Sequence, residues 1–193
     1  MILDKLNKEE KKLIKTIKVK KGKILFNEND PCTSIGIIIK GEVVISSVTF
    51  EGNEIIYNTL RSGNIFGNNL LFSKEAIYRG NVIAKTDSEI AIIDKSNLVY
   101  ILQHNEDFLL NYLEINSEFT KLLNSKIKLL SFNQAKERFL YYLFINHNDI
   151  RFKNITSLAA ALYLSREATS RLISQMIKNK EIIRKGNVII KIG

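Results

Sequence analysis

The chain has 193 residues, of which 45% are hydrophobic, and its net charge at pH 7 is +9, a composition that is typical of a globular protein and excludes a disordered one. No apolar run approaches the roughly 18 residues that span a bilayer, and the N-terminus lacks the apolar stretch of a signal peptide. Since the single cysteine, Cys32, excludes an internal disulfide and an iron–sulfur cluster, we expect a cytoplasmic protein without a membrane partner.

The N-terminal half is rich in predicted strands. Asn7 followed by Glu10 is a capping pattern, which predicts a short helix that runs to about Lys18. From Lys23 to about Asp94, short apolar runs alternate with turn residues. The predicted strands include residues 35–39, 43–46, 55–57 and 90–93. Several short strands at this spacing indicate an antiparallel β-sandwich or β-barrel.

A long helix is predicted after the strands. Residues 96–130 contain neither Pro nor Gly, and apolar residues recur at helical intervals. The apolar positions are Leu109, Tyr112, Leu113, Phe119, Leu122, Leu123, Ile127 and Leu130. A helix of about 25 residues that begins near Glu106 would be about 37 Å long, more than a small domain covers. We expect its apolar face to pack against the same helix of a second subunit; packing against its own barrel is the alternative.

The C-terminal part predicts a winged helix–turn–helix. Residues 131–134 are interpreted as a hinge, with Asn133 as the cap of a helix that ends at Ile145. A strand near residues 150–152, a helix capped by Asn154, a tight turn and a second helix capped by Ser165 follow. A hairpin with its turn at residues 185–187 completes the motif.

Positive charge is concentrated in this part. Residues 131–193 contain 11 lysines and arginines against 4 acidic residues, whereas residues 1–130 contain 18 against 16. Such a local surplus attracts the phosphate backbone of double-stranded DNA. A basic amphipathic helix with an exposed aromatic face, which would favour a membrane surface, is not found.

The second helix of this motif carries the residues that we predict to read DNA. Glu167 lies about 100° and Arg171 about 140° around the helix from Arg166, so the three side chains can face one groove. The arginine fork matches the O6 and N7 acceptors of guanine, and a carboxylate accepts from the N4 amine of cytosine. Thr169 and Ser170 are expected to donate to phosphates. The alternative is that all these residues belong to a solvated face.

The order of these elements resembles the Crp–Fnr family of bacterial transcription regulators over nearly the whole chain. The matching motifs are an entry strand and turn (residues 22–30), a strand–Lys–Gly–strand pattern (37–43), the start of a phosphate-binding cassette (63–67) and the helix with Ser165, Arg166, Glu167 and Arg171. The resemblance implies an α+β fold. Its parts would be a jelly-roll β-barrel like cyclic nucleotide-binding domains (1–105), a dimerisation helix and hinge (106–132) and a DNA-binding winged helix–turn–helix (133–193).

The same resemblance implies a homodimeric transcription regulator, not an enzyme, that a signal at the barrel controls. Arg166 and Arg171 would read guanines, and Glu167 the intervening cytosine, of half-sites similar to TGTGA. RNA polymerase would be a further partner of an activator, although no pattern here identifies a surface for it. Tyr163 departs from the family, which often has glycine at the turn. A left-handed backbone costs a tyrosine about 1–2 kcal/mol, which predicts an altered turn or a shifted docking angle.

The resemblance also gives candidate effector-binding positions, which are Gly67, Asn68, Asn69, Leu70, Arg79 and Gly80. Arg79 falls on the arginine that holds the cyclic phosphate, and the amides of residues 67–70 can form an anion nest. Asn68 replaces the glutamate that binds the ribose, and Gly80 stands where a hydroxyl residue usually helps the phosphate. Since a buried polar ligand that loses two partners loses several kcal/mol, cyclic AMP is not expected as a ligand. The alternative for Arg79 is a surface charge or a structural partner for Glu75.

Other classes of function fit the sequence less well. His104 and His147 are the only histidines and lie outside the predicted barrel, which argues against haem and against a cupin-type metal centre. No Ser/His/Asp set, CxxC motif or P-loop is found. Cys32 remains a candidate redox-sensitive thiol. The main alternative is a nucleotide-responsive module that acts on a partner protein, which would lack the steep salt dependence of DNA binding.

Overall fold

The computed structural model describes residues 1–192, which form two compact units that divide within the long helix, between residues 118 and 119. The strands of the N-terminal unit are β1 Lys15–Val19, β2 Ile24–Phe26, β3 Ser34–Lys40, β4 Glu42–Val48, β5 Glu54–Arg61, β6 Ile65–Phe66, β7 Asn81–Ala84 and β8 Ser88–Asp94. Its helices are α1 Lys8–Lys11, α2 Lys95–His104 and the first part of α3 Glu106–Ser131. The four strands named from the sequence are thus confirmed within β3, β4, β5 and β8.

The strands form two antiparallel four-stranded sheets, ordered β1-β8-β3-β6 and β2-β7-β4-β5. One hydrophobic core takes side chains from both, including Ile35 and Ile90 of the first sheet and Val43 and Val82 of the second. Among residues 1–192, no strand of one sheet pairs with a strand of the other. The barrel implied by the resemblance is therefore not closed, because four sheet edges remain, and the unit is the β-sandwich that the strand pattern also predicted.

The N-terminal helix is shorter than predicted. Asn7 caps α1 as expected, since its side chain accepts from the amides of Glu9 and Glu10, each at 2.9 Å. The helix ends at Lys11, however, and β1 pairs with β8 from Lys15 onwards. The expected continuation to about Lys18 is wrong because residues 16–19 include three β-branched side chains, which favour a strand that can pair at a sheet edge.

The long helix is confirmed at nearly its predicted bounds, with 26 residues from Glu106. Its first turns belong to the N-terminal unit, where Phe108 and Tyr112 are buried in the sandwich core. Other apolar side chains along the helix are exposed in the single chain. They are Leu110, Leu113, Leu122, Leu123, Ile127 and Leu130.

The C-terminal unit combines three helices with a small sheet. Its elements after α3 are α4 Ala135–Ile145, β9 Asp149–Arg151, α5 Ile155–Leu162, α6 Arg166–Lys178, β10 Ile182–Lys185 and β11 Val188–Lys191. The strands pair antiparallel in the order β10-β11-β9. Every helix and all three strands contribute to one core, of which the most buried members are Phe139, Leu143, Ile150, Leu158, Leu162, Ile173, Met176, Ile182 and Ile189.

Two of the three helix caps predicted here are confirmed. The Asn154 side chain accepts from the amide of Ser157 at 2.8 Å, and the Ser165 hydroxyl accepts from the amide of Ala168 at 3.1 Å. Asn133 is not the cap of α4, because the helix begins one residue later than the sequence suggests. Gln134 occupies the cap position and makes no side-chain hydrogen bond to the helix.

The turn between α5 and α6 is left-handed in spite of its tyrosine. Tyr163 has φ 53° and ψ 43°. Its amide donates to the carbonyl of Ala160 at 3.2 Å, and the amide of Leu164 donates to that of Ala159 at 3.0 Å. These two bonds are those of a Schellman motif, which usually has glycine at this position. The predicted alteration of the turn is therefore wrong: the turn keeps its form, and the strain is borne by Tyr163.

Replacement of this tyrosine by glycine is expected to stabilise the C-terminal unit. Relief of left-handed strain is worth about 1–2 kcal/mol, and the freedom of glycine in the unfolded chain costs about 0.4–1 kcal/mol. Because the Tyr163 side chain is 49% exposed, little packing is lost. We expect Tyr163→Gly to raise the free energy of unfolding of this unit by about 0.5–1 kcal/mol, measured by native-state hydrogen exchange at the amide of Ile173.

Tyr163→Ala is the matched control, since it removes the same ring but keeps a β-carbon at the left-handed position. This variant should show no gain. Equal behaviour of the two variants would mean that the ring, and not the backbone, sets the energy of the turn.

Candidate nucleic-acid interface and effector loop

Helix α6 has one buried and one polar face. Thr169, Ile173 and Met176 are almost fully buried in the core of the C-terminal unit. On the other side, Arg166, Glu167 and Arg171, together called the polar row below, are exposed. Among residues 1–192, the polar row makes no ion pair and no side-chain hydrogen bond. The packing of α6 thus leaves three charged side chains facing solvent without a protein partner. Their donors and acceptors are therefore available for base readout.

The structure separates the two hydroxyl residues that were expected to bind phosphates. Ser170 is exposed beside the polar row. Thr169 is fully buried, and its hydroxyl donates to the carbonyl of Ser165 at 3.0 Å. The assignment of Thr169 to a phosphate is therefore wrong, because a threonine on the core face of a helix satisfies its hydroxyl on the preceding turn. Ser174, seven residues beyond Glu167, is exposed; a helical wheel would have singled it out.

The hairpin β10–β11 has a basic tip that is held in place. Its two-residue turn is Gly186–Asn187, with Gly186 at φ 60°. The Nε of Arg184 donates to the Gly186 carbonyl at 2.9 Å, and the guanidinium lies 5.5 Å from the ring centroid of Phe152. The Asn187 side chain donates to the carbonyl of Lys153 at 3.0 Å, which ties the tip to the segment before α5. Arg184 is thus pre-ordered while part of its guanidinium still faces solvent.

The loop between β6 and β7 (residues 67–80), called the effector loop below, begins with a turn that is held by its own hydrogen bonds. The amides of Leu70 and Leu71 both donate to the carbonyl of Gly67, at 3.0 and 2.9 Å. Gly67 has φ 78°, and an added β-carbon would lie 2.8 Å from the carbonyl oxygen of Ser34. The prediction was that the amides of residues 67–70 could together form an anion nest. The Leu70 amide is already hydrogen-bonded within the loop, so it could bind an anion only if that bond were broken. Asn69 is exposed.

A polar network joins this loop to α3 within the N-terminal unit. The side-chain amide of Asn68 donates to Oδ1 of Asn116 at 2.9 Å. The side-chain amide of Asn116 donates to the carbonyl of Tyr112 at 2.7 Å, and the Tyr112 hydroxyl donates to the carbonyl of Asn68 at 3.3 Å. Burial raises the pKa of Tyr112, so its phenol stays protonated and remains a donor. Asn68, at the position where the family has the glutamate that binds ribose, is thus hydrogen-bonded to a side chain of the protein.

Arg79 and Gly80, the two positions that would contact a cyclic phosphate, also have close neighbours within the protein. Arg79 forms an exposed ion pair with Glu75 at 3.4 Å, the alternative that the sequence left open. A β-carbon at Gly80 would lie 2.7 Å from Cε2 of Tyr57 and 3.0 Å from the carbonyl oxygen of Ser46. A residue with a β-carbon at position 80 would therefore require the Tyr57 ring to move.

Cys32 does not have the surroundings of a reactive thiol. It is 3% exposed, and its sulfur lies 3.6 Å from the carbonyl oxygen of Ser34 and 3.7 Å from that of Gly67. Burial raises the pKa of Cys32, whereas redox-sensitive cysteines have a lowered pKa and are accessible. The suggested redox role of Cys32 is therefore not supported.

The two histidines lie at the surface, as expected. Within residues 1–192, no group of three or more His, Cys, Asp or Glu side chains is arranged to hold a metal ion. In the same part of the chain, no helix combines the length and the apolarity that a membrane span requires.

Comparison with known sequences gives two matches. The cyclic nucleotide-binding domain family matches residues 16–105. The chain is also similar to the cAMP-activated global transcriptional regulator CRP of Haemophilus influenzae, with 33% identity over 86 residues. This match covers 45% of the chain and 38% of that relative, so the chain spans well under half the length of the relative.

Comparison with solved structures extends the likeness to the whole fold. The catabolite activator protein of Thermus thermophilus is similar with a TM-score of 0.58 and 18% identity, over 99% of this chain and 93% of that one. A CooA variant from Carboxydothermus hydrogenoformans is similar with a TM-score of 0.64 and 21% identity, over 93% and 84%. Residues 16–105 thus match the cyclic nucleotide-binding domain family, and the likeness to these solved structures shows that the chain shares their fold.

Proposed function

We propose that this chain is a homodimeric, cytoplasmic regulator of transcription that binds double-stranded DNA in a sequence-specific manner. In this proposal, residues 133–193 form a winged helix–turn–helix, residues 106–132 form the dimerisation helix and hinge, and residues 1–105 form a sensing domain. The observation that carries the proposal is the polar row on α6, which is exposed and unpaired while the opposite face of the helix is buried. The names of the relatives, a transcriptional regulator and a catabolite activator, support it.

The charge of the region supports binding to a polyanion. Residues 131–193 carry a surplus of seven positive charges, and Arg184 and Lys185 beside the hairpin turn are among its basic residues. Such a surface gains affinity from the release of counterions from DNA. The polar row then supplies sequence readout: Arg166 and Arg171 would bind guanines and Glu167 a cytosine, in half-sites similar to TGTGA.

Dimerisation is supported by the exposed apolar face of α3. Leu113, Leu123, Ile127 and Leu130 are between 39% and 65% exposed in the single chain. Their spacing of ten, four and three residues fits the seam of a coiled coil, in which apolar residues alternate at intervals of three and four. A parallel pair of such helices would bring two C-terminal units together, as a pseudo-palindromic site requires. An activator would in addition need to contact RNA polymerase.

The effector loop supports a regulator that does not depend on a cyclic nucleotide. Asn68 is bonded to Asn116, Arg79 is paired with Glu75, and Tyr57 fills the space beside Gly80. The groups that would hold ribose and phosphate are thus either replaced or occupied, and a ligand would have to displace these contacts. We propose that the network through Asn68 orders the loop against α3 in place of a ligand.

The experiment that tests the function directly is selection from random DNA duplexes by the purified protein, with and without cyclic AMP and cyclic GMP. We expect enrichment of a pseudo-palindrome with TGTGA-like half-sites under all conditions. Absence of any enriched sequence, with affinity that hardly changes with salt, would contradict DNA reading and favour the alternative of a module that acts on a partner protein.

Substitutions of two arginines separate base readout from backbone binding. Arg171→Ala should weaken binding to the selected site by about 1–3 kcal/mol and relax the preference at one base pair, because one bidentate pair is lost. Arg184→Ala is the matched control, since it should weaken binding to all duplexes alike and lower the salt slope by about 1. Fluorescence anisotropy with selected and scrambled duplexes measures both effects. Equal losses on the two duplexes for Arg171→Ala would contradict the base contact.

A charge on the proposed seam should abolish the dimer. Ile127 is 65% exposed in the single chain, so Ile127→Asp should leave the fold of the protomer intact. In a dimer the same substitution would bury two carboxylates, at a cost that a helix pair cannot offset. We expect a monomer in sedimentation velocity and the loss of palindrome binding. Ser125→Asp, on the opposite side of α3, should remain dimeric; a dimeric Ile127→Asp variant would contradict the seam.

Cyclic nucleotides are expected not to bind. Calorimetric titration with cyclic AMP or cyclic GMP up to about 1 mM should give no saturable signal, because the contacts that remain are too few. Glu75→Gln, which releases Arg79 from its ion pair, is a matched variant and should also show none. A dissociation constant in the micromolar range for either protein would contradict the closed loop.

A further inference from the structure

One guanidinium in the C-terminal unit contacts two segments that are remote in sequence. Arg138, on the first turns of α4, donates from Nη1 to the carbonyl oxygens of Leu162 at 3.3 Å and Tyr163 at 3.2 Å. From Nη2 it donates to the carbonyl oxygen of Phe132 at 2.9 Å. The side chain is half-buried, and its Nε lacks a partner among residues 1–192. The contacts that hold Arg138 are thus all carbonyl oxygens, with no acidic residue among them.

The first of these segments is the turn that precedes α6. Leu162 is the last residue of α5, and Tyr163 is the left-handed residue of the turn. Their carbonyl oxygens are not satisfied by the two Schellman bonds, which use the carbonyls of Ala159 and Ala160. Ser165, the cap of α6, follows two residues later. The guanidinium therefore bonds both sides of the strained residue, immediately before the helix that carries the polar row.

The second segment is the link between α3 and α4. Phe132 follows Ser131, the last residue of α3, and its ring lies 5.3 Å from that of Tyr141. The Nζ of Lys128, in the last turn of α3, lies 5.0 Å from the same Tyr141 ring. The link is thus attached to α4 by the aromatic contact and by Arg138.

We propose that Arg138 is a positioning residue for the DNA-reading helix. Its fork holds the left-handed turn in shape and fixes the orientation of α6, and the same group connects that turn to the link after α3. This inference rests on the proposed function. Lysine cannot replace it, because the three N–H donors of an ammonium group share one nitrogen, whereas the planar guanidinium donates from two nitrogens to carbonyl oxygens of two segments.

Two variants of the full-length protein separate position from charge. We expect Arg138→Lys, which keeps the charge, and Arg138→Gln, which removes it, both to lose about tenfold or more in affinity for the selected palindrome. Binding to scrambled duplex should be little changed for Arg138→Lys, and its salt slope should equal that of the wild type. Wild-type affinity of Arg138→Lys would overturn the proposal, since the contribution of Arg138 would then be electrostatic.

A second substitution distinguishes positioning from general stability. Glycine adopts the left-handed conformation without support, so Tyr163→Gly should restore most of the palindrome affinity of Arg138→Lys while changing the wild type by less than about twofold. If Arg138 only stabilised the fold, no such coupling would appear between affinity and the turn. A double variant that binds no better than Arg138→Lys would overturn the proposal.

Hydrogen exchange tests the turn without DNA. The amides of Tyr163 and Leu164 donate the two Schellman bonds, and both should exchange at least about tenfold faster in Arg138→Lys than in the wild type. The amide of Ile173, in the core of the unit, should be affected less. If the wild type binds no DNA, the proposed function fails, but faster exchange confined to the turn still supports the positioning role. Unchanged exchange at Tyr163 and Leu164 overturns it.

Discussion

The burial of one face of α6 is the constraint on which the rest of the structure depends. Because Thr169, Ile173 and Met176 are fixed in the core of the C-terminal unit, the rotation of the helix about its axis is set. The backbone of α6 then places the polar row on the solvent side, whichever rotamers its side chains adopt. The left-handed turn at Tyr163 sets where the helix begins, and the fork of Arg138 bonds both sides of that turn. Core packing and turn geometry together aim the charged groups.

The N-terminal unit follows a different physical logic, since the polar groups that join the effector loop to α3 are satisfied within the protein. In a ligand-dependent pocket, buried donors and acceptors have no hydrogen-bond partner until the ligand binds, and such unpaired groups lower the stability of the free protein. Here Asn68, Asn116 and Tyr112 bond to one another, and Tyr57 fills the space that Gly80 leaves. The sandwich therefore retains the architecture of the cyclic nucleotide-binding domain family, while Asn68 and Arg79 are already engaged with other side chains of the protein. Family membership and ligand dependence need not go together.

Much of the fold follows from local patterns in the sequence, and the exceptions have specific causes. Long periodic stretches and strong caps, such as α3 and Asn154, could be predicted because local chemistry alone decides them. The strand that begins at Lys15 is harder to predict, because the β-branched residues among 16–19 favour a strand only where a partner such as β8 can pair with it. The hydroxyl of Thr169 alone suggests a phosphate contact, but its spacing of four and seven residues from Ile173 and Met176 places it on the core face of α6. Arg138 bonds to the carbonyl oxygens of residues 24 and 25 positions further along the chain, and no short-range pattern predicts those two contacts.

The central claim is that two copies of the polar row read two half-sites held at one spacing. The most direct measurement is the affinity of the purified protein for a pseudo-palindrome whose half-site centres lie about 10–10.5 base pairs apart, compared with the same duplex carrying about five additional base pairs between them. The insertion rotates one half-site to the opposite side of the duplex. We expect the affinity then to fall to that of a duplex with a single half-site. Equal affinity for both spacings at physiological salt would contradict it.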